Sequence, residues 1–215
     1  MEYITSSDFH FKDTAVALGK FEGIHRGHQL LMDEVKKQEL HGLRSVVFTF
    51  DRPTRLTLTG DTEYKQIYTK KERREILEKR GIDILIEHPF TKEFAALTPD
   101  RFIREVLVEK VGAKVIVVGT DFHFGKNRSG SITDLEKLEE ECGYHLIVVE
   151  KLQLNGKDIS STRIRASLEK GAMEEAKALL GRNYSVSGEI LHGNALGRTI
   201  QVPTINQQVP SFKLL

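Results

Sequence analysis

Apolar and polar positions alternate in blocks between residues 14 and 149, in a pattern that predicts strands and helices in turn. Short apolar runs, typical of strands buried on both faces, occupy residues 14–18, 45–50, 82–86, 114–119 and 145–149. The intervening segments carry apolar residues at helical spacing, which predicts helices at residues 29–41, 70–80, 98–110 and 131–142. This alternation predicts an α/β fold with a doubly wound parallel sheet, whose ligands bind beyond the carboxyl ends of the strands.

The pattern changes after residue 149. Two more helices are predicted at residues 160–168 and 172–180, and residues 184–191 have the character of a strand. We therefore predict a large domain over residues 1–181. Residues 182–215 are predicted to form a short C-terminal β fragment, the incomplete start of a second domain.

Composition narrows the class of protein. A chain of 215 residues is long enough to bury a full core, and its net charge of +1 gives no sign of a polyanion-binding surface. No apolar stretch has the length of a membrane-spanning helix. The single cysteine, Cys142, excludes an internal disulfide framework and fits a reducing compartment. We expect a cytoplasmic protein without nucleic-acid or membrane partners.

The segment most indicative of chemistry is residues 19–28, between the first predicted strand and helix. His25 and His28 are three residues apart at the helix start, and Gly23 and Gly27 let backbone approach a ligand closely. A helix N-terminus offers free N–H groups and positive potential to phosphate. These parts suit a nucleoside triphosphate, although an ordinary turn with two surface histidines would have the same pattern. A metal site is less favoured because no third ligand stands at suitable spacing.

A second group of polar residues opens the helix predicted at residues 160–168. Consecutive hydroxyls at Ser160, Ser161 and Thr162 can cap the helix and donate to an anion. Arg163 and Arg165 add permanent charges that match phosphate oxygens. The alternative is a capped helix with two solvated arginines.

Aromatic residues follow two of the predicted strands. Asp121, Phe122 and Phe124 lie after the fourth strand, where a flat heteroaromatic ring could bind. The alternative there is a mobile surface loop with Phe122 packed inward. A similar but weaker cluster after the second strand, equally consistent with a simple turn, consists of Phe50, Asp51 and Pro53.

Taken together and in this order, residues 19–28, 119–125 and 159–165 resemble the motifs of bacterial FAD synthetases, the bifunctional riboflavin kinase/FMN adenylyltransferases. The resemblance implies a Rossmann-like HxGH nucleotidyltransferase domain. Its substrates would be ATP and FMN, its products FAD and pyrophosphate, and its metal Mg²⁺. Glu22 stands where that family commonly has Asp, and Thr54 where it often has a second proline.

The resemblance also implies roles for individual residues. Catalytic roles fall to His25, His28, Ser161, Thr162 and Arg165. ATP-binding roles fall to Gly19, Phe21, Gly23, Gly27, Ser160 and Arg163. Flavin-binding roles fall to Phe50, Asp51, Pro53, Asp121, Phe122 and Phe124. Neither the Mg²⁺ ligands nor the oligomeric state can be assigned from the sequence.

The glycine-punctuated segment after residue 187 resembles the start of a riboflavin kinase domain. Thr204 and Asn206 match the pair expected at the kinase's Mg-nucleotide site, whereas Gln201, Val202 and Ile205 depart from the motif. A few strands without a closed barrel are not expected to catalyse. The kinase is therefore expected to be truncated or lost, with riboflavin as a possible further substrate.

Two other functions remain open. One is another HxGH transferase, acting on phosphopantetheine, nicotinate mononucleotide, or a sugar or glycerol phosphate. The other is a flavin- or nucleotide-binding regulatory protein without catalysis. The aromatic loop at residues 121–125 argues against the first. Retention of the phosphate-directed side chains argues against the second.

Overall fold

A computed structural model describes residues 1–52, 64–192 and 204–215. Its main sheet has six strands, all parallel, in the order β1-β4-β3-β2-β5-β6. The strands are β1 Glu2–Ile4, β2 Thr14–Leu18, β3 Arg44–Phe50, β4 Ile84–His88, β5 Ala113–Gly119 and β6 His145–Val149. The predicted α/β class and doubly wound parallel sheet are confirmed.

Helices link these strands and continue after them. Within the described ranges the α-helices are α1 Arg26–Lys37, α2 Lys70–Lys79, α3 Lys92–Ala95, α4 Pro99–Arg101, α5 Ile132–Cys142, α6 Ser161–Glu169 and α7 Met173–Leu180. A 3₁₀ turn, Gln38–His41, extends α1, and a second one spans Lys126–Arg128. A π-helical segment, Phe102–Lys110, continues α4.

The sheet is buried on both faces, which explains its continuously apolar strands. On one face, Val16 and Ile116 join a cluster with Phe102 and Leu107 of the π-helical segment. On the other, alternate strand residues such as Ala17 and Val117 pack against α1 and α2. Successive strand side chains point to opposite faces, so neighbouring positions in one strand serve separate cores.

A third apolar cluster lies outside the sheet. It joins α6 and α7 to Ile67 and Tyr68, and Leu214, the next-to-last residue of the chain, is buried in it. Two small antiparallel pairs complete the described structure: β7 Gln153–Leu154 with β8 Lys157–Asp158, and β9 Glu189–Leu191 with β10 Asn206–Gln208.

Several predicted boundaries differ from those observed. The first helix starts at Arg26, three residues earlier than predicted, because His25 serves as its N-cap. The strand expected at residues 82–86 runs from Ile84 to His88, and only Glu189–Leu191 of the stretch 184–191 forms a strand. β1 was not predicted, since three residues at a sheet edge carry little periodic signal.

The strand order reverses beside β2, which lies between β3 and β5. The crevice at such a reversal, beyond the carboxyl ends of the strands, is the usual ligand site of open α/β sheets. β2 ends at Leu18 and β5 at Gly119, so the loops that follow both strands meet there. Among the described residues, no helix has both the length and the apolar character needed to cross a bilayer.

Candidate active site

The loop between β2 and α1 has an unusual backbone. Phe21 and Ile24 have φ angles of 45° and 42°, in the left-handed region that side-chain-bearing residues rarely adopt. Phe21 is fully buried beneath the loop. A Cβ atom at Gly19 would lie 2.9 Å from Cζ of Phe21, so only glycine fits there. Such strain persists only where the surroundings enforce it, and it is common at binding sites.

The two predicted histidines lie side by side at the start of α1. The N–H of His28 donates to Nδ1 of His25 at 3.3 Å, which makes His25 the N-cap. Their rings stack with centroids 3.6 Å apart. A Cβ atom at Gly27 would lie 3.3 Å from the His25 ring, which explains the glycine between them.

Burial keeps both imidazoles neutral. It lowers the pKa of His25 to about 4, with help from the charge of Arg182 and against the opposing charge of Asp121. Burial, and then His25, lowers the pKa of His28 well below its usual range. Because Nδ1 of His25 accepts a hydrogen bond, its proton lies on Nε2, where it can be donated to a ligand.

The second predicted motif opens α6, next to the histidine loop. Oγ of Ser160 accepts from the N–H of Arg163 at 3.3 Å and caps the helix. A Cβ atom at Gly23 would lie 3.4 Å from Ile164 and 3.7 Å from Oγ of Ser161. Gly23 therefore lies within van der Waals reach of α6, and the N-termini of α1 and α6 lie close together.

A cavity of about 310 Å³ lies beside these elements. Four of its lining side chains are cationic and one is acidic, so the cavity suits an anionic ligand. Its lining consists of Lys20, Glu22, Thr49, Phe50, Arg52, Tyr64, Gln66, Arg73, Thr162 and Arg165. Thr162, Arg165 and Phe50 are residues that the sequence indicated.

Arg165 is held at the cavity wall by Glu22. The guanidinium donates to a carboxylate oxygen of Glu22 and to the carbonyl of Lys65, and it lies 4.4 Å from the centroid of the Tyr64 ring. The other oxygen of Glu22 accepts from the Tyr64 hydroxyl at 2.6 Å. Glu22 thus holds the Arg165 guanidinium at the cavity wall, where an anionic ligand would compete with Glu22 for this cation.

Three further cations of this wall, Lys20, Arg52 and Arg73, were not anticipated from the sequence. Burial, followed by the charge of Arg128, lowers the pKa of Lys20. Arg73 is nearly buried and pairs with the fully buried Glu87, while its Nε has no hydrogen-bond partner within the described structure. Arg73 lies one turn before the buried Leu77 on α2, but residues 70–74 are all charged, so no local signal marks it as buried.

The flavin-directed loop is only partly placed as predicted. Phe122 is half-buried and stacks on Phe124 at 5.4 Å, and Asp121 is exposed and pairs with Lys151 at 3.2 Å. Phe124 is only 7% exposed and belongs to the main core, against Phe102. Phe124 therefore anchors the loop to the core while its flavin-binding role stays a prediction, and Phe122 is the aromatic residue of the pair with more exposed surface.

The residues predicted after the second strand, Phe50, Asp51 and Pro53, also have different environments. Phe50 lines the cavity, whereas the Asp51 carboxylate accepts from the N–H of Phe90 and from Nε of Arg52, both at 3.0 Å. These contacts give Asp51 a role in holding the loop after β4. Pro53 lies outside the described residues.

The Arg163 side chain is engaged away from the cavity, and its ATP-binding role stays a prediction. Its guanidinium donates to Glu175 of α7 at 2.9 Å and to the carbonyls of Leu154 and Lys157. These contacts bind α6 to α7 and to the β7–β8 pair, and Arg163 does not line the cavity. Because side chains two positions apart on a helix face different directions, Arg165 reaches the cavity and Arg163 does not.

No protein cage for a metal is present in the described part of the chain, where no cluster of three or more candidate ligands occurs. Glu22 is the acid that lines the cavity, and Arg165, Tyr64 and the N–H of Ile67 occupy its oxygens. Thr204 and Asn206, the kinase-like pair, are exposed, and Asn206 is paired with Leu191 across β9 and β10.

Comparison with known proteins places this arrangement in a family. A sequence model of FAD synthetase matches residues 8–163, which include both histidines and the start of α6. The chain belongs to the FAD synthetase family. A riboflavin kinase model matches residues 180–215.

Relatives of this FAD synthetase family member carry the name bifunctional riboflavin kinase/FMN adenylyltransferase. That of Listeria monocytogenes is 34% identical over 208 residues, covering 96% of this chain and 66% of the relative. That of Buchnera aphidicola from Schizaphis graminum is 33% identical, covering 90% and 63%. That of Escherichia coli K12 is 34% identical, covering 89% and 61%. The chain thus spans slightly less than two thirds of the length of these curated relatives.

A solved structure supports the fold. A protein from Streptococcus pneumoniae described as a macrolide-efflux protein matches with a TM-score of 0.86 and 31% identity, covering 97% of this chain and 69% of its own. Its agreement in fold extends over nearly the whole chain of this FAD synthetase family member.

Proposed function

We propose that this chain is an FMN adenylyltransferase, which transfers AMP from ATP to FMN and releases pyrophosphate. The observation that carries the proposal is the meeting of two phosphate-directed helix N-termini beside one cationic cavity. α1 brings the stacked His25 and His28, and α6 brings Ser160 to Thr162. Family membership and the names of the relatives support the same reaction.

The reaction needs no protein nucleophile. An oxygen of the FMN phosphate attacks the α-phosphorus of ATP, a new P–O bond forms, and the bond to the pyrophosphate oxygen breaks with its electrons leaving on pyrophosphate. The attacking group is already an anion, so the protein's task is positioning and stabilisation of charge.

The neutral histidines fit that task. A neutral imidazole that carries its proton on Nε2 can donate a hydrogen bond to a phosphate oxygen without first taking up a second proton. Polyphosphate beside His25 would favour its protonated form and raise its pKa, since an opposite charge stabilises imidazolium. The histidines therefore strengthen their interaction as negative charge develops on the α-phosphate.

The remaining groups would surround the phosphates. Ser161 and Thr162 in the first turn of α6 would donate to phosphate oxygens, and Arg165 would supply permanent charge at the cavity wall. Phe122 and Phe50 are the aromatic candidates for the flavin ring. Mg²⁺ would enter as Mg-ATP, with the phosphates as most of its ligands, since Glu22 alone does not form a site.

Two parallel incubations test the proposal. The chain is incubated with Mg-ATP and FMN in the first tube and with Mg-ATP and riboflavin in the second tube, and the products are separated by chromatography. FAD from FMN supports the adenylyltransferase. No FAD, despite binding of both FMN and ATP, would replace it with the regulatory-binding alternative, and transfer to a different phosphorylated acceptor would identify another HxGH transferase.

The riboflavin tube tests a second function. The match of residues 180–215 to riboflavin kinase favours kinase activity in the full-length protein. We expect no FMN from riboflavin with the 215-residue chain, because a catalytic barrel requires more strands than the β9–β10 pair found in the described part of residues 180–215. Formation of FMN would show that a working kinase is present.

A further inference from the structure

Arg182 follows the end of α7, and its side chain contacts the strained loop at residues 19–25, here called the histidine loop. Its Nη1 donates to the carbonyl of Ile24 at 2.8 Å and to that of Leu180 at 3.2 Å, and its Nη2 donates to the carbonyl of Gly23 at 2.9 Å. The guanidinium also lies 5.1 Å from the centroid of the Tyr68 ring. One planar group thus joins two successive loop carbonyls to the end of a distant helix.

These two carbonyls belong to the residues that determine where His25 lies. Ile24 has a φ of 42° and immediately precedes His25, so a change in its backbone would rotate the histidine away from α1. The carbonyl of Ile24 also accepts from Nε2 of Gln29, which donates to Leu180 as well. Two side chains from different elements therefore fix the same strained peptide.

We propose that Arg182 is a positioning residue of the adenylyltransferase site, acting through the carbonyls of Gly23 and Ile24 to hold His25 and His28 against the bound phosphates. The inference rests on the proposed function. It reaches beyond the resemblance, which placed residue 182 at the start of a separate domain and gave it no role.

The planar fork of arginine is suited to this position. Carbonyls at 2.8 and 2.9 Å accept from separate guanidinium nitrogens, an arrangement that a lysine ammonium cannot reproduce while also reaching Leu180. Nε is buried without a partner within the described structure, so this site binds the end of the guanidinium rather than its whole edge.

The test compares Arg182→Met, Arg182→Lys and Arg182→Ala with the wild-type chain in the FAD-forming assay, and Leu179→Ala is the control. Leu179 is fully buried in the apolar cluster that joins α6 and α7 to Tyr68, and its side chain is apolar and cannot bond a loop carbonyl. Truncating Leu179 therefore lowers stability without releasing the histidine loop. All variants are assayed at 25 °C after circular dichroism shows that they are folded.

We expect Arg182→Met to lower kcat by about 100-fold, the effect of misplacing a reacting geometry by about 1 Å, with a much smaller change in the KM for FMN. Arg182→Lys should fall between, and guanidinium ion should restore part of the kcat of Arg182→Ala. Leu179→Ala should keep kcat within about twofold while its thermal midpoint falls.

A readout independent of turnover separates this inference from the proposed function. The nuclear Overhauser contact between the stacked imidazole rings of His25 and His28 should weaken in Arg182→Met and persist in Leu179→Ala; chemical shifts alone do not suffice, because the charge of Arg182 acts on His25 directly. Unchanged kcat and an unchanged ring-to-ring contact in a folded Arg182→Met would overturn the positioning role. If the wild type makes no FAD, the proposed function fails, and the ring-to-ring contact alone decides whether Arg182 sets the histidine geometry.

Discussion

Replacing Lys213 with Met should destabilise the protein strongly, although this residue lies far along the chain from the cavity. The Lys213 side chain is fully buried, and its Nζ donates to Glu72 and to the carbonyl of Ile67, each at 2.7 Å. It also lies 4.7 Å from the centroid of the Tyr68 ring and 4.6 Å from that of Tyr184. The substitution would leave the buried carboxylate of Glu72 without its cation.

The magnitude follows from the partners that remain. Removing one member of a buried ion pair costs about 3–5 kcal/mol. Glu72 keeps hydrogen bonds from the N–H groups of Thr69 and Ser187 at 2.8 and 2.9 Å, which places the expected cost near the lower limit. For a chain of this length, about 3 kcal/mol corresponds to a fall of roughly 6–12 °C in the thermal midpoint.

The assay is a double-mutant cycle in urea and by calorimetry, with Lys213→Met, Glu72→Gln and the double variant. We expect the double variant to recover part of the loss, since it removes the uncompensated charge, with a coupling energy above about 1 kcal/mol. Additive losses within about 0.5 kcal/mol would refute the buried pair as the source of the stability.

Three further predictions concern the site and the backbone. His28→Ala should fold normally yet raise the barrier by about 3 kcal/mol, a fall of over 100-fold in kcat; normal turnover would remove His28 from the mechanism. The pKa of His25 is about 4, below its unfolded 6.5, so the unfolded chain takes up the proton first as pH falls. Stability should therefore drop by about 2 kcal/mol on this account between pH 7 and pH 5, and His25→Gln should lose that share in urea titrations. Gly112→Ala, whose Cβ would lie 2.3 Å from the carbonyl oxygen of Phe11, should lose about 2 kcal/mol more than Gly143→Ala, which has a similar φ and open space around it; equal losses would refute the steric argument.

Local patterns predicted most of the fold. Continuously apolar runs located five of the six strands of the main sheet, and hydroxyl or proline signals located helix starts such as Thr98 with Pro99. A hydroxyl signal also located Ser160 at a helix N-terminus, and the order of strand, glycine-rich turn and helix located His25 near another; both serve as N-caps. The hairpin around Asn155 and Gly156 was missed, although Asn-Gly is a strong turn signal.

The parts of the site that could not be predicted depend on contacts between residues distant in sequence. Phe122 and Phe124 are chemically alike in the sequence, and only packing against Phe102 shows that Phe124 belongs to the core. Arg163 and Arg165 likewise cannot be distinguished in the sequence. In the structure Arg163 pairs with Glu175 of α7, whereas Arg165 pairs with Glu22.

The sequence by itself determined the order of strands and helices, the family, and the two phosphate-directed motifs, because each is encoded in residues that are neighbours along the chain. Only the tertiary structure decided which charged groups face the cavity and which residues hold the histidine loop. Arg182 and Ile24 are separated by 158 positions, and no local periodicity records a hydrogen bond across such a distance. That contact exists because α6 and α7 bury their apolar faces against Ile67 and Tyr68, outside the sheet, and so bring residue 182 next to the loop after β2.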